Sequence, residues 1–217
     1  MDHLSGHRQQ TIILASSSVY RRQLLAKLLP TFETVSPNID ETPIEGESAE
    51  CLTARLAREK AKAVVSGQPA LIIGSDQSAS LDGLTLHKPG SHANAVKQLQ
   101  NCSGRTIRFY TGLCLFNNVT KNEQWSVETC DVDFRALSND EIEHYLAWEK
   151  PYDCAGSFKV ESAGINLFKA LRCDDPNILI GLPLIQLANM LRTEGYNPIL
   201  ARAPVSAEYD CHYSEVP

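Results

Sequence analysis

The chain has 217 residues, 43% of them hydrophobic, which is enough to bury the core of one globular domain and too little for two unrelated ones. Its formal net charge is −6 at pH 7, and it has no long run of Lys or Arg. Because affinity for a phosphate backbone or an anionic membrane needs many clustered cations, we expect neither nucleic acid nor membrane among its partners. Any basic site must be local.

The N-terminal segment MDHLSGHRQQ lacks the apolar core of a secretory signal, and no window approaches the ~20 apolar residues of a membrane helix. Seven cysteines are scattered without a CxxC pair, which favours neither a zinc site nor a disulfide framework. We therefore expect a cytoplasmic protein. Residues 1–10 are predicted to be a flexible N-terminus, and residues 201–217 a tail that lacks hydrophobic periodicity.

The first half of the chain alternates strands and helices. Residues 11–15 form a short apolar, β-branched run, and the apolar residues between 20 and 28 have helical spacing. Residues 50–65 predict a second helix, and the apolar run 71–74, closed by a glycine, predicts a second strand. Residues 93–99 predict a third helix.

The second half predicts a hairpin followed by two helices. Residues 106–116 and 125–134 are rich in β-forming residues and flank a turn-rich segment. Ser138 and Glu141 form a capping-box signature for a helix that ends near residue 148, and residues 183–194 predict a last helix. Alternating strands and helices with one antiparallel hairpin predict an α/β or α+β fold with a mixed sheet, which leaves room for a smaller lobe.

A first constellation with chemical potential is Ser16-Ser17-Ser18-Val19-Tyr20-Arg21-Arg22, where the first strand gives way to the first helix. Backbone N–H groups at a helix N-terminus, serine hydroxyls and two guanidiniums can together bind phosphate groups. The same residues are equally typical of a plain serine N-cap with two arginines on a solvated helix face.

Other candidates are single acidic or basic residues. Asp76 directly follows an apolar strand, at the edge where open α/β sheets bind ligands, and its carboxylate suits Mg²⁺ or Mn²⁺. Asp40 or Glu41 could complete such a metal site, and Lys60 and Lys88 could reach into a cleft. Taken singly, a turn aspartate, exposed acids and solvated lysines explain these residues at least as well.

The combination indicates phosphoryl chemistry. Such chemistry needs clamped phosphate oxygens, a bridging metal and an oriented nucleophile, and little covalent participation by the protein. The chain offers candidates for each, whereas it has no Walker A run and no G-x-G-x-x-G fingerprint. Ser157 lacks the G-x-S-x-G elbow of a serine hydrolase.

Several blocks along the chain resemble the Maf family of nucleotide pyrophosphatases. They are Leu14-Ala15-Ser16-Ser17-Ser18-Val19-Tyr20-Arg21-Arg22-Gln23-Leu24-Leu25, Ile39-Asp40-Glu41, Leu56-Ala57-Arg58-Glu59-Lys60-Ala61, Gly74-Ser75-Asp76-Gln77, Lys88-Pro89, Ser103-Gly104, Ala155-Gly156-Ser157-Phe158 and Ile180-Gly181-Leu182-Pro183. The resemblance implies an elongated Maf/ITPase-like α/β fold with a mixed sheet and flanking helices, forming a single domain over residues 11–200 with two lobes around a deep cleft. It also implies metal-dependent hydrolysis of a nucleoside triphosphate to its monophosphate and pyrophosphate.

Carried over residue by residue, the resemblance implies that Asp76 is the proton acceptor that activates the attacking water. Asp76 and Glu41 would hold the divalent cation, Mg²⁺ or Mn²⁺. Binding of the substrate phosphates would fall to five residues: Ser16, Arg21, Arg22, Lys60 and Lys88. By analogy with the family, a homodimer is expected.

Three positions sort substrates within the family, and here they are Tyr20, Gln77 and Glu161. An aromatic residue, Gln and Glu resemble the branch that acts on 7-methyl-GTP, whereas the thymidine and uridine triphosphate branch carries Arg, Thr and Gln. The chemistry agrees, because 7-methylguanine is cationic: an aromatic face can stack on it and a carboxylate can accept from the guanine edge.

Two alternatives stay open at this point. One is a dTTP/UTP pyrophosphatase of the same family, and the other is a non-catalytic nucleotide-binding regulator of cell division. The intact set of Glu41, Lys60, Asp76 and Lys88 argues against the regulator, because a pure binder has no need for a water-activating acid.

Overall fold

A computed structural model describes residues 10–201 of the chain. The strands, in chain order, are β1 (Thr11–Ala15), β2 (Glu33–Val35), β3 (Ala70–Leu81), β4 (Leu84–Leu86), β5 (Thr106–Asn117), β6 (Glu123–Phe134) and β7 (Phe168–Arg172). The α-helices are α1 (Val19–Leu28), α2 (Ala49–Ala63), α3 (His92–Cys102), α4 (Asn139–Glu149) and α5 (Leu184–Thr193). Apart from Gln10 and Ala201, the predicted flexible N-terminus and tail lie outside the described residues.

The strands of residues 10–201 form one seven-stranded mixed sheet of order β2-β1-β3-β5-β6-β7, with β4 paired to β3. β1 is parallel to both β2 and β3, whereas the β3-β5-β6-β7 part is antiparallel throughout. The predicted mixed α/β sheet is therefore confirmed, and so is the hairpin of β5 and β6. No helix of the described chain is long and apolar enough to cross a membrane.

β3 changes its neighbour halfway along one of its edges. Up to Gly74 it pairs with β1, and from Ala79 onward it pairs with the short β4, while β5 accompanies its other edge without a break. The sequence prediction ended this strand at Gly74 and placed Asp76 after it. That prediction was wrong: Asp76 lies inside the strand, because pairing with β5 continues past the glycine.

Side chains of β1 and of the first half of β3 alternate between two hydrophobic clusters. Ile12 and Leu14 pack with α1 and α5 on one face, and Ile13 and Ala15 pack with α2 on the other. A strand that is buried on both faces reads as a continuous apolar run, which is why the sequence revealed β1 so clearly.

A third cluster, centred on Phe109, packs α3 and α4 against the other end of the sheet. The structure thus describes one sheet with separate cores at its two ends. The division of residues 11–200 into two lobes stays a prediction.

Two glycines allow α2 to lie directly on the sheet. A Cβ at Gly74 would come within 2.1 Å of a carbonyl oxygen of α2, and one at Gly112 within 2.3 Å of another. Gly112 is the register partner of Asp76, so both glycines and this acid share the face that α2 covers. The close approach brings Lys60 of α2 to Asp76.

The five predicted helices are confirmed as α1 to α5 with small shifts at their ends. The capping box of α4 is also present: Ser138 Oγ accepts from the Glu141 backbone N at 3.2 Å, and the Glu141 carboxylate accepts from the Ser138 backbone N at 2.8 Å. The sequence analysis missed the short strands β2, β4 and β7. They have three to five residues each and few buried side chains, so no hydrophobic pattern marks them.

Candidate active site

A cavity of about 1050 Å³ is lined by residues around the point where β3 changes its neighbour. Nine of the predicted site residues line it: Ser16, Tyr20, Arg21, Glu41, Lys60, Asp76, Gln77, Lys88 and Glu161. Two candidates do not. Arg22 lies exposed on α1, and Asp40 is exposed on the loop before Glu41.

The deepest polar contact of the cavity joins Lys60 to two carboxylates. Its Nζ donates to Asp76 Oδ1 at 2.7 Å and lies 3.0 Å from Glu41 Oε1. Lys60 is only 5% exposed and Asp76 only 8%, whereas Glu41 reaches the pair from an exposed loop. We call Arg21, Glu41, Lys60 and Asp76 the cavity floor.

Arg21 is fixed on the cavity floor by a carbonyl from the far end of the chain. Its Nε donates to the Gly181 carbonyl oxygen at 2.9 Å, and Ser75 Oγ donates to the same oxygen at 2.9 Å. Gly181 ends a 3₁₀ turn, Pro176–Ile180, with φ at 109°, and a Cβ there would press on the guanidinium.

Burial and the neighbouring carboxylates shift the pKa of Arg21 in opposite directions. Burial lowers the pKa of the Arg21 guanidinium, and the carboxylates of Asp76 and Glu41 raise it. Because an arginine keeps its proton throughout the ordinary pH range, it contributes a fixed positive charge to the cavity floor.

The serine triplet serves as a helix cap and as cavity lining at the same time. Ser18 Oγ accepts from the Arg21 backbone N at 3.3 Å, which makes Ser18 the N-cap of α1. Ser16 Oγ accepts from the Ser18 backbone N at 3.1 Å, is buried and lines the cavity. The plain-cap explanation therefore describes Ser18, while the Ser16 hydroxyl keeps its own hydrogen to donate.

A second group of cavity residues is acidic and less buried. Burial raises the pKa of Tyr20, and the nearby thiol of Cys154 and carboxylates of Asp153 and Glu161 raise it further. All four residues line the same cavity. We call Tyr20, Asp153 and Glu161 the acidic wall.

Gln77 lies on the face of β3 opposite to Asp76. Its amide nitrogen donates to Thr111 Oγ1 at 3.1 Å and to the Ile178 carbonyl oxygen at 2.7 Å. Thr111 Oγ1 also donates to Ile178. Since the nitrogen is committed to these internal acceptors, the Gln77 carbonyl oxygen is the atom left to accept from a ligand.

Sequence reasoning missed two contributors to this site. Asp153 carries no motif of its own and becomes visible only because it lines the cavity beside Tyr20. Gly181 belongs to a block that resembles the family, but its hydrogen bond with Arg21 joins residues 160 positions apart. Ser157, considered and set aside as a nucleophile, is buried and donates to Gln98.

Two acids alone do not make a metal site. Within residues 10–201, no group of three or more His, Cys, Asp or Glu side chains is placed to hold a metal ion. Mg²⁺, however, is usually held in proteins by one or two carboxylates together with substrate phosphates and water. Glu41 and Asp76 fit that pattern, because both offer an oxygen to the same point of the cavity floor.

The chain resembles known proteins along most of its length. Residues 11–194 match the family model described as Maf-like protein. A protein of Idiomarina loihiensis named 7-methyl-GTP pyrophosphatase is 50% identical over 191 residues, covering 87% of this chain and 96% of the relative. A protein of Pseudoalteromonas atlantica with the same name is 53% identical over 181 residues, covering 83% of this chain and 93% of the relative.

Among solved structures, that of the Staphylococcus aureus Ham1 protein aligns with 85% of this chain and 100% of its own. The TM-score is 0.49 and the identity 13%, a likeness too distant to add to the assignment.

Proposed function

The chain belongs to the Maf family, and we propose that it hydrolyses 7-methyl-GTP to 7-methyl-GMP and pyrophosphate. One observation carries the proposal: a single cavity joins a floor of two cations and two carboxylates to an acidic wall with an aromatic ring. The floor suits a triphosphate, and the wall suits a positively charged base.

On the cavity floor, Arg21 and Lys60 bind phosphate oxygens, with Ser16 as a hydroxyl donor and Lys88 at the exposed rim. Asp76 accepts a proton from the water that attacks the α-phosphorus. The bond from the α-phosphorus to the bridging oxygen breaks, and pyrophosphate leaves. A bound divalent cation, held by Glu41 and Asp76, would neutralise the phosphate charge that develops.

On the acidic wall, Tyr20 stacks on the methylated guanine and Glu161 accepts hydrogen bonds from its edge. The carbonyl oxygen of Gln77 adds a further acceptor whose position is fixed by Thr111 and Ile178. A uracil or thymine ring carries no positive charge, so the negative charge of the wall favours the methylated purine over pyrimidines.

A nucleotide panel tests the proposal. The protein is incubated with 7-methyl-GTP, GTP, UTP and dTTP in Mg²⁺ or Mn²⁺, and the release of pyrophosphate and monophosphate is measured beside Asp76→Asn. We expect the highest kcat/KM for 7-methyl-GTP and equal amounts of both products. Equally slow release from every nucleotide by wild type and variant would remove the enzymatic proposal.

The panel also separates the alternatives. A preference for UTP or dTTP would favour the pyrimidine pyrophosphatase, and tight nucleotide binding without turnover would favour a regulator. A divalent metal requirement is part of the proposal and is checked by adding a chelator. Location in the cytoplasm and a homodimer stay predictions.

A further inference from the structure

Lys60 stands between the two carboxylates to which the proposed function assigns the metal. Its Nζ is 2.7 Å from Asp76 Oδ1 and 3.0 Å from Glu41 Oε1, so the two acidic oxygens are about 6 Å apart or less. Two carboxylates at such a distance repel each other, and the ammonium between them removes that repulsion. Because Lys60 and Asp76 are buried, their attraction is stronger than that of an ion pair in water.

The inward placement of Lys60 is specific to its position on α2. Lys62, two residues later on the same helix, pairs instead with Glu123 at 2.7 Å, and its side chain is 45% exposed. Neither Lys62 nor Glu123 lines the cavity. The helix therefore offers two lysines with similar ion pairs, one inside the cavity and one outside it.

A divalent cation and the Lys60 ammonium compete for the same oxygens. Mg²⁺ needs ligand oxygens at ~2.0–2.1 Å, so it would have to share the carboxylates of Glu41 and Asp76 with a positive charge that already contacts both. Like charges in such a poorly solvated place oppose each other strongly. The cation can enter freely only if the ammonium moves away.

A nucleotide supplies the alternative partner for Lys60. Its phosphates bring negatively charged oxygens into the cavity, and Lys60 can donate to them from the cavity floor. Arg21, the other cation of the floor, is tied to the Gly181 carbonyl through Nε and offers its remaining N–H groups from a fixed position. Lys60 has the flexible side chain of the two.

We infer that Lys60 is an internal counter-ion that keeps Glu41 and Asp76 from binding a divalent cation until a nucleotide draws its ammonium away. Metal and nucleotide then enter together. The inference rests on the proposed function, since that function assigns both ligands to this cavity. By linkage, the nucleotide raises the affinity for metal by the same factor by which the metal raises the affinity for nucleotide.

The test measures Mn²⁺ binding to the nucleotide-free protein, by the electron paramagnetic resonance signal of free Mn²⁺, and needs no turnover. Lys60→Gln and Lys60→Met are expected to bind Mn²⁺ on the order of tenfold more tightly than wild type. Lys62→Gln removes the same charge from the same helix outside the cavity and is expected to stay within about threefold of wild type. Lys60→Arg keeps the charge and should also resemble wild type.

The double variant Lys60→Gln with Asp76→Asn tests whether the tighter Mn²⁺ binding occurs at Asp76. Its Mn²⁺ affinity should return to that of wild type. Wild type that binds Mn²⁺ as tightly as both Lys60 variants, without nucleotide, would overturn the inference; thermal melting checks that the variants are folded. The nucleotide panel judges the proposed function separately. If the protein has no pyrophosphatase activity but shows this difference in Mn²⁺ affinity, the proposed function is wrong and the inference about Lys60 stands.

Discussion

The cavity floor and the acidic wall are built in different ways. On the floor, Lys60 and Asp76 are buried, and Arg21 is fixed by a hydrogen bond of 2.9 Å to a backbone carbonyl. On the wall, Tyr20 is half-buried, while Asp153 and Glu161 are exposed on the loop that follows α4. A reaction that depends on charge stabilisation needs positions set in advance, whereas base preference needs only a few replaceable contacts. We therefore expect the floor to determine the reaction and the wall to select the substrate.

The largest expected effect comes from Asp76→Asn on the cavity floor. Loss of the proton acceptor should lower kcat/KM by about 10³-fold, within the range typical of a general base. The loss should be of similar size for every nucleotide, because the side chain takes no part in the acidic wall. Steady-state kinetics on two substrates measures it, and a loss confined to 7-methyl-GTP would contradict the division between floor and wall.

Arg21→Gln and Arg22→Gln form a matched pair of neighbouring substitutions. Arg21→Gln should reduce kcat/KM by about 10²-fold, because a charge-assisted contact with phosphate is lost. Arg22→Gln should stay within about threefold of wild type, since Arg22 lies exposed on α1 and does not line the cavity. Equal losses in both variants would restore the sequence prediction that both arginines bind phosphate.

A double substitution on the acidic wall tests the other half of the comparison. Tyr20→Arg with Glu161→Gln should lower the preference for 7-methyl-GTP over UTP by about 10- to 100-fold, because stacking on the cationic base and one carboxylate are lost. The rate of pyrophosphate release from the nucleotide that the variant prefers should change far less than this preference. An unchanged preference would remove these residues from the specificity argument.

The smallest effect is expected far from both regions, at the capping box of α4. Ser138→Ala removes the hydroxyl that accepts from the Glu141 backbone N and should lower the free energy of unfolding by about 1 kcal/mol. The kinetics at temperatures well below melting should be unchanged. Urea unfolding gives the first quantity, and a marked fall in kcat would show that α4 influences the cavity.

Local patterns were enough to find the helices and the strands β1, β3, β5 and β6. The capping box of α4 and the apolar run of β1 are patterns of a few adjacent residues that predict these elements directly. The short strands β2, β4 and β7 have no such pattern, because their stability comes from backbone pairing with a neighbouring strand. Strand formation of this kind depends on the partner more than on the residues of the strand itself.

The site was predictable in part, and mainly through the family resemblance. Residues alone left the serine cap and the phosphate cradle equally open, and the structure places Ser18 at the cap and Ser16 in the cavity lining. Arg21 and Arg22 could not be separated from sequence. Neighbouring positions of α1 can line the same cavity, as Tyr20 and Arg21 do, and only the structure shows that Arg22 lies outside it. Asp153 had no signal at all before the loop was placed beside Tyr20.

Gly74 is a position where the sequence prediction and the tertiary structure differ. In the sequence it closes an apolar run and so predicts the end of a strand. In the structure β3 continues past it, and its missing side chain lets α2 rest on the strand. By itself the sequence determined which segments are helical and which are buried, because periodicity is a property of neighbours along the chain. Only the tertiary structure decided that Lys60 bridges Glu41 and Asp76, because that contact requires the helix, the loop and the strand to meet at one point.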